Sequence, residues 1–207
     1  MAMSFESWAL FTVTEAAMSL SPGPAVMMVV AYGIARGWQK SLFVTLGILA
    51  GNAIFFTLSA TGLGGALMAS PYLFMGIKYL GAAYLVYLGL SAIFGRPSPI
   101  TLSRIDGQPE TGAKIFGKAL MLQLTNPKSM LTFVAILPQF IDPLKPIGIQ
   151  MLILAGCSII PEFFILLGYG MLASKASHLA TQEKYALITE RIAGTLVLTA
   201  GVLIAVV

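Results

Sequence analysis

Ser21-Pro22-Gly23-Pro24 and Asn126-Pro127-Lys128 interrupt two apolar runs that are each long enough to cross a bilayer. Proline supplies no amide donor and clashes with the carbonyl a turn earlier, so each motif unwinds the helix it sits in. In hydrocarbon, such backbone survives only where protein buries it or where it lines a wet cavity. One break in each half of a chain is the sequence pointer to a solute site built from discontinuous helices.

The rest of the composition agrees with a membrane setting. Of 207 residues, 57% are hydrophobic and 10% are charged; a soluble domain carries about a quarter charged residues. The mean hydropathy is +0.89. The chain reads as an all-α integral membrane protein with one membrane domain and no separate soluble domain. The net charge of +4 follows from basic residues in cytoplasmic loops, and no basic stripe or motif points to nucleic acid. Cys157 is the only cysteine, so no intramolecular disulfide forms and a cysteine-based metal cluster is implausible. His178 reads as a solvated loop residue. The N-terminus lacks a basic n-region, and its apolar run continues to about residue 35, which reads as a retained span rather than a cleaved signal.

At about 20 apolar residues per crossing, six spans are predicted, at 8–35, 42–68, 72–94, 115–137, 147–173 and 185–207. Arg36, Lys40, Arg96, Arg104, Lys114, Lys118, Lys175 and Lys184 lie in or beside the odd connections, with Arg191 nearby, whereas the even ones hold only Lys145. The odd loops are therefore cytoplasmic and both termini periplasmic. Residues 95–114 form a polar connector between repeat one, about 5–95, and repeat two, about 115–207. Three spans per repeat make the second enter from the opposite side. The expected fold is six transmembrane helices in two inverted three-helix repeats, with the first helix of each broken at proline.

Several polar residues fall inside these spans. Carbonyls near Met18 and Leu20 lose their donors to Pro22 and Pro24, and the half-helix beginning near Pro24 presents amides to an anion. The same break reads otherwise as a plain hinge. Lys128 lies about ten residues from Pro138, or roughly 15 Å of rise, near mid-membrane. A cation there costs at least about 2.5–3.5 kcal/mol without a partner or wet pocket. It contacts a substrate or, structurally, the carbonyls freed by the other break; Gln123 and Asn126 add polar groups. Glu162 follows Pro161 in the middle of the fifth span, on one face with Ser158 and Tyr169. Burial and a nearby lysine act on it in opposite senses, which poises it to load and release a proton; the alternative is a static ion pair with Lys128 or Lys78. Lys78 shares a face with Gly81, Ala82 and Gly89, and small residues mark helix packing. Glu15 faces a vestibule or pairs with Lys78. Thr45, Asn52 and Ser59 recur every seven residues beside Gly47 and Gly51, a stripe suited to packing or to lining a path. Gly62-Leu63-Gly64-Gly65 follows no strand, and no HExxH, GxSxG or Walker pattern occurs, so no enzyme activity is expected.

Ser21-Pro22-Gly23-Pro24, Gly47 and Gly51, Leu80-Gly81-Ala82-Ala83-Tyr84-Leu85 with Tyr87-Leu88-Gly89, Asn126-Pro127-Lys128, and Leu137-Pro138-Gln139-Phe140 together resemble the LysE/RhtB superfamily of amino-acid exporters along nearly the full chain. The resemblance implies six spans, a bacterial inner membrane, and export of amino acids or close derivatives driven by an ion gradient, with protons as the coupling ion. The family's proline motifs carry onto Pro22, Gly23, Pro24, Asn126, Pro127 and Lys128. Many relatives carry aspartate near Asn52, which is neutral here and weakens the case for a cationic substrate. The expectation is an exporter of neutral amino acids, or of homoserine or its lactone, with no cofactor and no metal. Substrate contacts are expected from Ser21, Pro22, Gly23, Pro24, Asn52, Gln123, Asn126, Pro127 and Lys128, and a coupling network from Glu162, Glu15 and Lys78. A homodimer is left open. The competing readings are a channel and an exporter of metal ions or other small solutes.

Overall fold

The computed structural model describes residues 3–21, 23–69, 71–94, 110–142 and 144–175, with scattered helical positions between 191 and 202. Pro22, most of the connector, His178 and all but those scattered positions of the predicted sixth span lie outside the described residues, as do the side chains of Lys78 and Pro127. The described residues are helical, with no strand among them.

Helix α1, Phe5–Leu20, opens at Ser4, whose side chain accepts from the Ser7 amide at 3.1 Å. It closes at Ser21, which is extended (φ −70°, ψ 121°), as a residue preceding proline must be to avoid the ring. Helix α2, Pro24–Arg36, begins with proline in its first turn, where the missing amide costs nothing. The two helices are bent by 51° at this break. Gly37 ends α2 with φ +83°, a left-handed conformation that glycine adopts without a Cβ penalty. The chain turns there directly into α3, Trp38–Ala69, and then α4, Pro71–Phe94.

The second break has the same construction. Helix α5, Gly112–Leu124, ends at Thr125; Asn126 is extended (ψ 113°) ahead of Pro127 and caps the Lys128 amide at 3.1 Å. Helix α6 covers only Pro127–Leu131 and passes into a π turn over Thr132–Ile136 and a 3-10 turn over Leu137–Phe140. The sequence predicts an ordinary half-helix to residue 137. The structure instead widens and then tightens the pitch, where Pro138 withholds a donor. Helix α7, Ile147–Lys175, runs through Pro161 unbroken.

Helices α3, over Trp38–Ala60, and α7 are long and apolar enough to cross a membrane; α1 with α2 adds a third if they form one bent span. Helix α3 packs on α2, α5 and α7, and α7 also packs on α1 and α2. Glycine sets the α3–α5 distance: a Cβ on Gly47 would stand 2.5 Å from the Phe116 carbonyl oxygen, and one on Gly51 2.8 Å from Gln123 Cγ. Gly33 likewise lets α2 approach the Gly170 carbonyl of α7. Such close approach is how helices associate where lipid removes the hydrophobic drive. The core divides into two apolar clusters. One gathers Phe11, Met18, Phe56, Phe133, Phe140 and Leu154; the other gathers Val26, Val29, Tyr32, Ile48, Ile115 and Leu166.

Candidate solute-binding pocket at the two breaks

Both breaks open onto one pocket of about 530 Å³, counting its mouth. From the first break and its flanks come Glu15, Met18, Ser19, Ser21, Gly23, Ala25 and Val26. From the second come Gln123, Asn126, Lys128, Ser129, Thr132 and Phe133, while α3 gives Asn52 and α7 gives Glu162 and Leu166. The apolar walls belong to both core clusters, Met18 and Phe133 to one and Val26 and Leu166 to the other. Polar groups and members of both apolar clusters thus share one pocket.

Its cation is Lys128, whose Nζ donates to the Met18 and Ser21 carbonyls at 3.3 and 3.5 Å. The second break therefore caps carbonyls exposed by the first, the structural alternative read from the sequence. The Leu20 carbonyl is also taken, by the Tyr169 hydroxyl at 2.9 Å. These oxygens are engaged by protein rather than open to a solute. Helix α2 starts without a side-chain cap, and its first-turn residues Ala25 and Val26 line the pocket. A Cβ on Gly23 would meet Lys128 Nζ at an ordinary 3.7 Å, and the Gly23 backbone is extended. Neither space nor φ demands glycine there.

The anionic side holds Glu15 and Glu162. Both are buried, within electrostatic reach of each other and of Lys128. Each also has a neutral hydrogen-bonding partner. Glu15 accepts from the Ser158 hydroxyl at 2.9 Å. Glu162 accepts from Asn52 Nδ2 at 2.5 Å, and Asn52 Oδ1 accepts from Gln123 Nε2 at 2.6 Å. This Gln123–Asn52–Glu162 chain ends on an orphan: Gln123 lines the pocket, and its Oε1 is buried with no hydrogen-bond partner among the described residues. Such an unmet acceptor costs about 1–3 kcal/mol.

Of the residues singled out in the sequence, Ser21, Gly23, Asn52, Gln123, Asn126, Lys128, Glu15 and Glu162 line this one pocket. Pro24 stands beside it in the first turn of α2, and Pro127 likewise opens α6. Thr45, from the same stripe as Asn52, is buried away from it and bonds the Ser41 carbonyl. Reading the sequence missed Ser129, Thr132 and Phe133 as lining and Tyr169 as the cap on Leu20. Ser129 and Thr132 follow Asn126 at helical spacing of three, a signal that could have found them; the Tyr169 contact spans 149 residues and had none.

Comparison with known proteins identifies the family. The family described as LysE type translocator matches residues 16–206. The chain is 30% identical over 203 residues to a homoserine/homoserine lactone efflux protein of Salmonella typhimurium, covering 98% of each. It is 36% identical over 141 residues to a leucine efflux protein of Klebsiella pneumoniae, 66% of this chain and 64% of that one. An uncharacterized membrane protein of Vibrio cholerae is 30% identical over 203 residues, 98% of each chain. No solved structure matches. With the family covering nearly the whole length, and a relative aligned end to end, the chain belongs to the LysE type translocators and is a membrane protein.

Proposed function

We propose that this protein is a proton-coupled secondary exporter of small neutral amino acids, of the size of homoserine, its lactone or leucine. It would work by alternating access between two inverted three-helix repeats in a bacterial inner membrane, with both termini periplasmic. The observation that carries this reading is the pocket at the junction of the two breaks, whose lining joins a cation and the uncapped start of a helix with two carboxyls. That is the charge pattern of a zwitterion. The substrate carboxylate meets Lys128 Nζ and the Ala25 and Val26 amides, a charge-assisted contact stronger than the neutral carbonyls Lys128 now holds. The ammonium meets Glu162, Glu15 and Gln123 Oε1. Met18, Phe133, Val26 and Leu166 suit an uncharged side chain, as do the substrates named for the Salmonella and Klebsiella relatives.

Lys128 joins the halves: drawing it to a carboxylate releases the Met18 and Ser21 carbonyls, so occupancy of the pocket loosens the first break. Glu162 then binds either a proton or the ammonium, which is the exclusion that antiport needs. Purified protein in proteoliposomes should show saturable counterflow of L-homoserine or L-leucine. An imposed proton gradient should drive uptake in the wild type but not in Glu162→Gln. Unchanged proton dependence in that variant removes Glu162 from coupling, and flux without counterflow or saturation identifies a channel instead.

A further inference from the structure

The direction of the Gln123–Asn52–Glu162 chain is fixed by its end. An ionised carboxylate only accepts, so Asn52 must turn Nδ2 to Glu162, and Oδ1 then faces Gln123. Gln123 must answer with Nε2, and its Oε1 is left over. A proton on the Glu162 oxygen that faces Asn52 reverses each step. That O–H donates to Asn52 Oδ1, Asn52 Nδ2 donates to Gln123 Oε1, and Gln123 Nε2 becomes the group without a partner. We propose that Gln123 reports the charge of Glu162 to the pocket through two amide flips, so that a proton on Glu162 and a donor group of the substrate compete for one atom, Gln123 Oε1.

The two occupants satisfy that oxygen in alternative ways. With Glu162 ionised, an ammonium or hydroxyl of the solute fills it; with Glu162 protonated, Asn52 fills it and the pocket loses its neutral acceptor. No bond other than hydrogen bonds and the one O–H on Glu162 forms or breaks. The charged groups facing Glu162 are Glu15 from α1 and Lys128 from α6. Both act on the carboxyl through space without entering the amide chain. This inference deepens the exporter reading and rests on it for the identity of the donor. The relay itself is testable without a substrate.

Infrared difference spectra of the whole protein with isotope-labelled glutamine side chains, taken between acid and alkaline pH, supply the test. The wild type should show a protonated-carboxyl band that Glu162→Gln lacks. Alongside it should appear a glutamine-amide change that Gln123→Met removes. Asn52→Leu should keep the carboxyl band and lose the amide change. Gln123→Met, of nearly the same length, carries the argument by a second readout if Asn52→Leu does not fold. Its half-saturation for L-homoserine should change with pH over a smaller total range than that of the wild type, which changes by up to about tenfold per pH unit, because only direct competition at Glu162 remains. An amide change that survives Asn52→Leu, a carboxyl that never titrates, or a pH dependence in Gln123→Met as large as the wild type's overturns the relay. Normal spectra with no binding of homoserine or leucine at any pH overturn the amino-acid reading instead and leave the relay standing.

Discussion

Glu110 shows how one residue can hold the end of a bundle. Its carboxylate accepts from the Lys118 ammonium of α5 and, at 2.7 Å, from the buried Tyr32 hydroxyl of α2, while its carbonyl accepts from Lys40 of α3 at 3.2 Å. The Lys118 hydrogen bond first, then that of Tyr32, holds its carboxyl below the ordinary value of 4.5. A depressed folded value means the tie is fully present above the ordinary value and is lost as pH falls through the folded one. Hydrogen exchange, corrected for intrinsic rates, should therefore quicken around Tyr32 and Lys118 only below about pH 4.5 in the wild type. In Glu110→Gln it should be fast already at pH 7 and gain little on acidification. An unchanged profile in that variant would deny the tie any role in holding the three helices. None of these contacts was legible in the sequence, because the Tyr32 and Lys40 partners lie 78 and 70 residues away and only packing joins them. Lys128 was legible, since a cation near mid-membrane needs partners whatever arrangement of helices supplies them.

At the scale of elements, the glycines decide how closely helices cross. Gly47 stands against α5 with no room for a methyl group, whereas Gly76 on α4 has nothing within 4 Å of where its Cβ would lie. Gly47→Val should lower the melting temperature in detergent by the equivalent of about 1–3 kcal/mol. Gly76→Ala should be neutral or raise it by up to about 1 kcal/mol. Equal effects at the two sites would mean that contact with α5 does not set the tolerance. The breaks at residues 21–24 and 125–127 were predictable because proline constrains both its own backbone and that of the residue before it. The π and 3-10 turns at 132–140 were not: Pro138 shows where a donor is missing, but nothing local says whether the chain widens or tightens in answer. Helix α7 makes the same point from the other side, carrying Pro161 without a break.

For the whole molecule, the six-span inverted arrangement makes a claim about sides. On that arrangement residues 95–114 and the turn near Leu144 would lie on opposite faces of the membrane. With Cys157 replaced by alanine, Leu144→Cys, at a residue 93% exposed, should react with an impermeant maleimide on intact cells. Ser103→Cys should react only after permeabilisation. The reverse pattern would invert the orientation, and labelling of both from one side would make the stretch 112–140 a re-entrant hairpin rather than a span. The alternation of basic and neutral connections is the sequence signal for this orientation, and the labelling tests it. The meeting of both breaks in one pocket is a three-dimensional fact that matched positions in two halves only suggested.

On the exporter reading, apolar walls flanking hydrophilic space set a cost for speed and a benefit for the cell. A molecule would cross by parting one greasy wall while the other stays shut, so that no continuous thread of water links the two compartments. Turnover would then be limited by how quickly side chains such as Phe133 and Leu166 separate and close again, and the ion gradient that energises the cell would not leak away through the path.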